Sequence, residues 1–147
     1  MLHDISEMIY TGVDLPISKL EELCKIVSDN GFKFCSAEHY FSSLDKSKLI
    51  ICTFDDGYKN VLKFGLPILS RFEFTATVFV CTNHIGQTNE WNTKDKTNRQ
   101  HMTIEELHLL KKQGWEIGSH GTNHISFNRL SEGEILSIVS ESKKTLS

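Results

Sequence analysis

Two short runs carry the residue types from which hydrolytic chemistry is built. The first is Thr53-Phe54-Asp55-Asp56-Gly57-Tyr58, where two adjacent carboxylates end an apolar segment. The second is Ser119-His120-Gly121-Thr122-Asn123-His124, where two histidines stand four positions apart after another apolar segment. Carboxylate oxygen and imidazole nitrogen from separate strand ends make the donor set of an open zinc-type site, with three protein ligands and a position left for water. Two unpaired carboxylates cannot share one mouth cheaply, because each raises the other's pKa. A bound cation relieves that repulsion and leaves one carboxylate as a base on the attacking water. Either run alone also has a plainer reading, since Asp-Asp-Gly suits a strand-to-helix turn with a capping carboxylate. Together they favour a metal centre. Cys81 and His84 form half of a zinc site at most, and no matching half exists.

Elements must hold these runs, and the hydrophobic pattern supplies them. Leu49 to Phe54, Thr75 to Val80 and Trp115 to Gly118 are short β-branched and aromatic runs that read as buried strands, with Phe32 to Cys35 as a further short one. Three hydroxyl residues followed three positions later by Glu mark capping boxes that open helices: Ser18 with Glu21, Thr103 with Glu106, and Ser131 with Glu134. Another helix is expected after Tyr58, with Pro67 kinking or restarting it. Alternating buried strands and amphipathic helices argue for an α/β fold with a parallel sheet. Ligands of such sheets bind beyond the carboxyl ends of the strands, where both runs fall. Gly121 and Asn123 are poor helix formers, so His120 and His124 belong to a loop.

Thr82 to Gln100 is polar and holds Trp91 within Glu90-Trp91-Asn92; a loop of that length is functional or mobile as a rule. Trp91 offers either a platform for a sugar ring or an anchor for the loop. His3 and His84 stand near strand ends and are lesser candidates for the same mouth. His39, His101 and His108 have no constellation around them, and Phe54, Phe79 and Ile117 read as core.

The chain has 147 residues, 39% of them hydrophobic, enough for one domain with a sizeable core, and no repeat or linker marks a second. Sixteen basic and 19 acidic residues are mixed along it for a formal charge of −3, so no basic stripe suits nucleic acid. No apolar run is long enough to span a bilayer. Met1-Leu2-His3-Asp4 lacks the basic start and apolar stretch of a secretory signal. Cys24, Cys35, Cys52 and Cys81 lack a C-x-x-C pair and three of them sit in or beside apolar segments, so free, buried thiols in a reducing, cytoplasmic setting are expected.

On these residues the chain resembles the polysaccharide deacetylases of carbohydrate esterase family 4, the NodB-homology domain. The resemblance runs through Thr53 to Tyr58, Pro67-Ile68-Leu69, Ala76 to Val80, Gly114 to His120, His124, Leu130-Ser131 and the closing helix at Ser142-Lys143. It implies a partial, distorted (β/α) barrel with a parallel sheet, spanning residues 1–147 as a single domain. It also implies Asp55 as catalytic base, Asp56, His120 and His124 as metal ligands, and zinc, cobalt or nickel as the ion. The substrate it implies is an N-acetylated oligo- or polysaccharide such as chitin, peptidoglycan or exopolysaccharide, with acetyl groups removed by hydrolysis.

Ile125 stands where the family usually has Pro after the second histidine. Family members continue with an Arg-containing strand end, an Asp-containing segment and a Leu-x-His segment that carries the general acid, none of which has a counterpart here. A closed barrel takes typically ~250 residues, so this chain is expected to supply about half of one and to expose a sheet edge that favours self-association. Weak acetate release is therefore expected. The alternative reading is a catalytically impaired metal-binding remnant or partner subunit. A two-metal phosphoesterase would need a further ligand cluster that the sequence lacks.

Overall fold

The computed structural model describes residues 2–7, 14–88 and 99–147. Seven short strands and five helices alternate in the order β1 (Asp4–Ser6), β2 (Asp14–Pro16), α1 (Ile17–Asp29), β3 (Lys33–Cys35), α2 (Ala37–Ser42), β4 (Leu49–Ile51), β5 (Thr53–Phe54), α3 (Leu66–Ser70), β6 (Thr77–Val80), α4 (Ile104–Lys112), β7 (Glu116–Ser119) and α5 (Glu132–Leu146). Among the described residues every strand pairing is parallel: β1 with β2, β3 with β4, and β5-β6-β7 as a three-stranded sheet. Parallel pairs demand helical crossovers, and α3 and α4 supply them between β5, β6 and β7. The architecture is mixed α/β with parallel strands, as the pattern of buried runs implies, and a partial barrel, as the resemblance implies.

The core lies between the strands and α1, α3 and α4. Ile5, Leu20, Phe54, Leu69, Val78 and Leu110 are completely buried. Phe54 stacks on Trp115 with ring centroids 5.8 Å apart, and Phe34 meets Phe74 edge-on at 5.4 Å. Phe79 and Ile117 are half-buried rather than central. All four cysteines are buried and free, and burial pushes the thiols of Cys52 and Cys81 up to about 12, far from a reactive thiolate. No helix among the described residues is long and apolar enough to cross a membrane.

Two of the three capping boxes form as read. Glu106 N–H donates to Thr103 Oγ1 (3.3 Å) while Thr103 N–H donates to Glu106 Oε2 (2.9 Å), and Ser131 with Glu134 repeats the exchange at the start of α5. The third does not. Strand β2 runs on to Pro16, whose fixed φ of −59° leads straight into α1, so Ser18 lies inside the helix and caps nothing. Glu21, freed from that role, pairs with Arg71 on the neighbouring α3 side.

Two further readings change in the folded chain. Leu49 to Phe54 is not one strand. Cys52 donates its N–H to Cys35 O (3.0 Å) and accepts from Thr77 N–H (3.0 Å), so at this residue the chain leaves the edge of β3 and joins β6. After Tyr58 the helix begins at Lys59 and Asn60, widens into a π-helical turn at Val61–Gly65, and returns to α-helix at Leu66, with Pro67 in the first turn of that segment. The wider turn absorbs the proline without a break. The sugar-platform or anchor reading of Trp91 falls outside the described residues.

Candidate metal centre

The parallel sheet points the ends of β5, β6 and β7 to one side, and the two runs leave from there. Asp55 and Asp56 follow β5 directly, and His120 follows β7 with its N–H on Val80 O (2.9 Å), one rung beyond the strand. The loop from His120 to His124 is stitched to the segment after β6. Thr82 and Asn83 donate their backbone N–H groups to Gly121 O (3.0 Å) and Thr122 O (3.1 Å), and Asn83 Nδ2 bonds Asn123 Oδ1 (3.0 Å). From below, Ser142 of α5 is buried against the loop: Ser119 Oγ lies 2.7 Å from Ser142 Oγ and accepts the Gly121 N–H at 3.0 Å. His124 itself is left-handed, at φ 44°.

This stitching brings three of the expected residues together. Oδ1 of Asp56 stands 3.5 Å from Nε2 of His120 and 3.3 Å from Nε2 of His124, and one ligand atom from each residue lies within 4.8 Å of the others. Asp56 is 4% exposed, yet among the described residues its Oδ1 accepts no hydrogen bond. A buried carboxylate oxygen without a donor is costly. Ligand atoms about 2.0–2.1 Å from a tetrahedral zinc stand about 3.3–3.4 Å from one another. The two Asp56–histidine separations match that spacing, so the residues fit a small divalent cation. Both histidines keep about a third of their side-chain surface open, which leaves access for water or substrate.

Asp55 is buried beside them, with its N–H on Leu2 O at 2.8 Å. Burial raises its carboxyl above the ordinary range, while the nearby His120 and His3 imidazoles act in the opposite direction. His3 thus reaches Asp55 only through its charge, and His84 has its ring 5.6 Å from that of His101.

The Asp-Asp-Gly turn is conformationally unusual. Asp56 adopts φ 68° and Gly57 φ 76°, so two successive residues lie in the left-handed region. Asp56 bears that cost, of order 1–3 kcal/mol, while Gly57 carries no Cβ to clash. A Cβ on Gly57 would stand 2.7 Å from Val80 Cγ1. Gly57→Ala therefore combines a disfavoured φ with overpacking and should destabilise the fold by about 2–4 kcal/mol, read as a lower urea midpoint at unchanged slope.

His101 is the site residue that sequence reading passed over. Its ring is buried, and its Nδ1 lies 2.8 Å from the backbone oxygen of Asp56. Burial also lowers its pKa, which favours the neutral ring. The only signal in the sequence was a histidine at the end of a polar stretch, which points nowhere by itself.

Comparison with known proteins agrees with the fold. The polysaccharide deacetylase family model matches residues 43–147. The chain belongs to the polysaccharide deacetylase family. It is 26% identical over 149 residues to YxkH, the assigned polysaccharide deacetylase of Bacillus subtilis (strain 168), covering 98% of this chain and 49% of that protein. It is 23% identical over 139 residues to the poly-beta-1,6-N-acetyl-D-glucosamine N-deacetylase of Staphylococcus aureus (strain MSSA476), covering 88% of this chain and 47% of the relative. The chain thus spans about half the length of these relatives. Among solved structures, the Streptococcus pyogenes deacetylase PplD, in complex with acetate, superposes with a TM-score of 0.80 at 21% identity, over 98% of this chain and 64% of that one. IcaB from Ammonifex degensii gives 0.78 at 17% identity, over 99% and 66%. These two likenesses concern the fold.

Proposed function

We propose that this polysaccharide deacetylase chain hydrolyses the acetamide of N-acetylated sugar units with a divalent ion held by Asp56, His120 and His124, zinc being the best match to the donor set. The observation that carries the reading is the approach of two imidazole nitrogens to a buried carboxylate oxygen that accepts no hydrogen bond among the described residues, with a second buried carboxylate next door. A cation bound there would polarise the acetamide carbonyl and make water easier to deprotonate. Asp55 takes the proton as the water oxygen adds to the carbonyl carbon. Burial raises its pKa above that of an ordinary aspartate, which makes it a stronger base. Cleavage of the C–N bond then yields acetate and a free amine, whose departure requires a proton. The substrate class rests on the S. aureus relative, a poly-N-acetylglucosamine deacetylase by name.

Asp55→Asn separates base from ligand. Zinc content should stay near wild type while acetate release from N-acetylglucosamine oligomers falls by about 10²–10⁴-fold. If Asp55→Asn strips the metal and Asp56→Asn does not, the two roles are exchanged. A second reading rests on the chain spanning about half of its relatives: it holds the ion but needs further residues for turnover. Zinc binding without acetate release from the wild-type chain would favour that reading.

A further inference from the structure

The ligand Asp56 stands in a conformation that its own backbone disfavours. A short segment from far along the chain packs against this turn. Gln100, His101 and Met102 lie antiparallel to the turn, with Tyr58 bridged to His101. Lys59 N–H donates to Gln100 O (2.8 Å) and Met102 N–H donates to Gly57 O (3.0 Å). The same segment is held from behind, by His101 N–H on Gln87 O (2.8 Å) and Gly86 N–H on Met102 O (2.9 Å). It is a clamp between two strips of backbone.

Within that clamp the carbonyl of Asp56 has no backbone donor among the described residues and meets His101 Nδ1 at 2.8 Å instead. A carbonyl oxygen can only accept, so Nδ1 must carry the proton. The ring is fixed in turn by Tyr58, with centroids 4.9 Å apart, and Tyr58 has the Arg99 guanidinium over its face at 5.5 Å. The imidazole is thus a rigid donor that meets only the peptide orientation Asp56 has when left-handed. Rotating Asp56 to the ordinary right-handed region would turn its carbonyl away from Nδ1 and its carboxylate away from His120 and His124.

We propose that His101 is a positioning residue: its Nδ1–H locks Asp56 in the left-handed turn and thereby sets the affinity of the Asp56, His120, His124 centre for a divalent ion. This rests on the metal reading above, and it assigns His101 no contact with ion or substrate. The role depends on one proton at one ring position, which conservative variants can separate from packing. Asn places an N–H where Nδ1 was, Gln places it nearer the Nε2 position, and Leu keeps the volume without a donor.

The test is Zn²⁺ affinity by chelator competition on the full chain, with thermal midpoints and backbone amide spectra of the metal-free protein. His101→Gln and His101→Leu should bind Zn²⁺ about 10–100-fold more weakly, as lost orienting partners of ligands do. His101→Asn should stay within about 3-fold of wild type, since the donor geometry is kept. In the metal-free spectra the Asp56 and Gly57 amides should shift in the Gln and Leu variants and return in the Asn variant. Wild-type affinity in His101→Leu or His101→Gln, or an Asn variant as weak as Leu, overturns the proposal. A wild type that binds no Zn²⁺ refutes the metal centre instead, and with it His101's hold on affinity. The amide signals then decide the locking claim separately, and unchanged Asp56 and Gly57 signals in His101→Leu overturn that as well.

Discussion

A His120→Ala, His124→Ala double variant should lose zinc to below detection while remaining folded. Both side chains are partly open to solvent and sit on a loop held by backbone and Ser119–Ser142 contacts that do not involve the imidazoles. Removing them takes two of three ligands and leaves no core cavity, so the thermal midpoint of the metal-free chain should move little. Elemental analysis after purification with and without added zinc reads the first effect, and a thermal melt in chelator reads the second. Equal metal content in the wild type and the double variant would place the ion elsewhere. In the zinc-loaded wild type the midpoint should rise with free zinc, because an ion bound only by the folded state stabilises it by mass action. The double variant should show no such dependence.

The largest loss of stability is expected at Arg99, which lies outside the candidate centre. Its Nη1 stands 3.0 Å from Asp4 Oδ2 and 2.9 Å from Asp14 Oδ1, with side-chain exposures of 5% for Arg99, 3% for Asp4 and none for Asp14. Asn60 Nδ2 (3.4 Å) and the Ile5 N–H (2.9 Å) complete the shell of Asp4. The guanidinium therefore joins β1 to β2 and ties both to the segment that clamps Asp56. Arg99→Ala would strand two buried carboxylates facing each other, and breaking a buried pair from one side costs about 3–5 kcal/mol.

The sign of its pH dependence is set by Asp4. Burial raises that carboxyl above the usual range even with Arg99 beside it. Without the guanidinium the Asp4 carboxyl moves further up, so the folded variant binds a proton there more tightly than its unfolded chain does. Its deficit should grow as pH rises through the carboxyl range and shrink as Asp4 protonates. Urea denaturation of wild type and Arg99→Ala at pH 5 and pH 8 measures this. A deficit below about 1 kcal/mol at pH 8 would mean that the cluster contributes no more than an exposed ion pair.

Much of the candidate site was legible because its signals are local. Asp55-Asp56 and His120 end apolar runs, and a buried parallel strand must deliver the residues after it to the carboxyl end of the sheet. The capping boxes at Thr103 and Ser131 are contained within four consecutive residues, so they formed where the letters placed them. Burial of the four cysteines followed from their apolar surroundings.

The features that sequence alone could not decide depend on which distant segments meet. The Ser18–Glu21 pair has the same letters as a capping box, but β2 occupies the backbone up to Pro16 and the helix starts two residues too early for it. Leu49 to Phe54 reads as one apolar run, yet Cys52 hands the chain from one neighbour to another, because a ladder bond depends on the strand lying alongside. Arg99 meets Asp4, and His101 meets Asp56, across 95 and 45 positions of chain. Neither pair has any periodicity or spacing that betrays it. Side-chain type and short-range spacing determined which atoms could bind a cation. The tertiary structure alone determined which buried ring would meet the backbone of Asp56, since that contact exists only once the turn after β5 and the segment before α4 lie side by side.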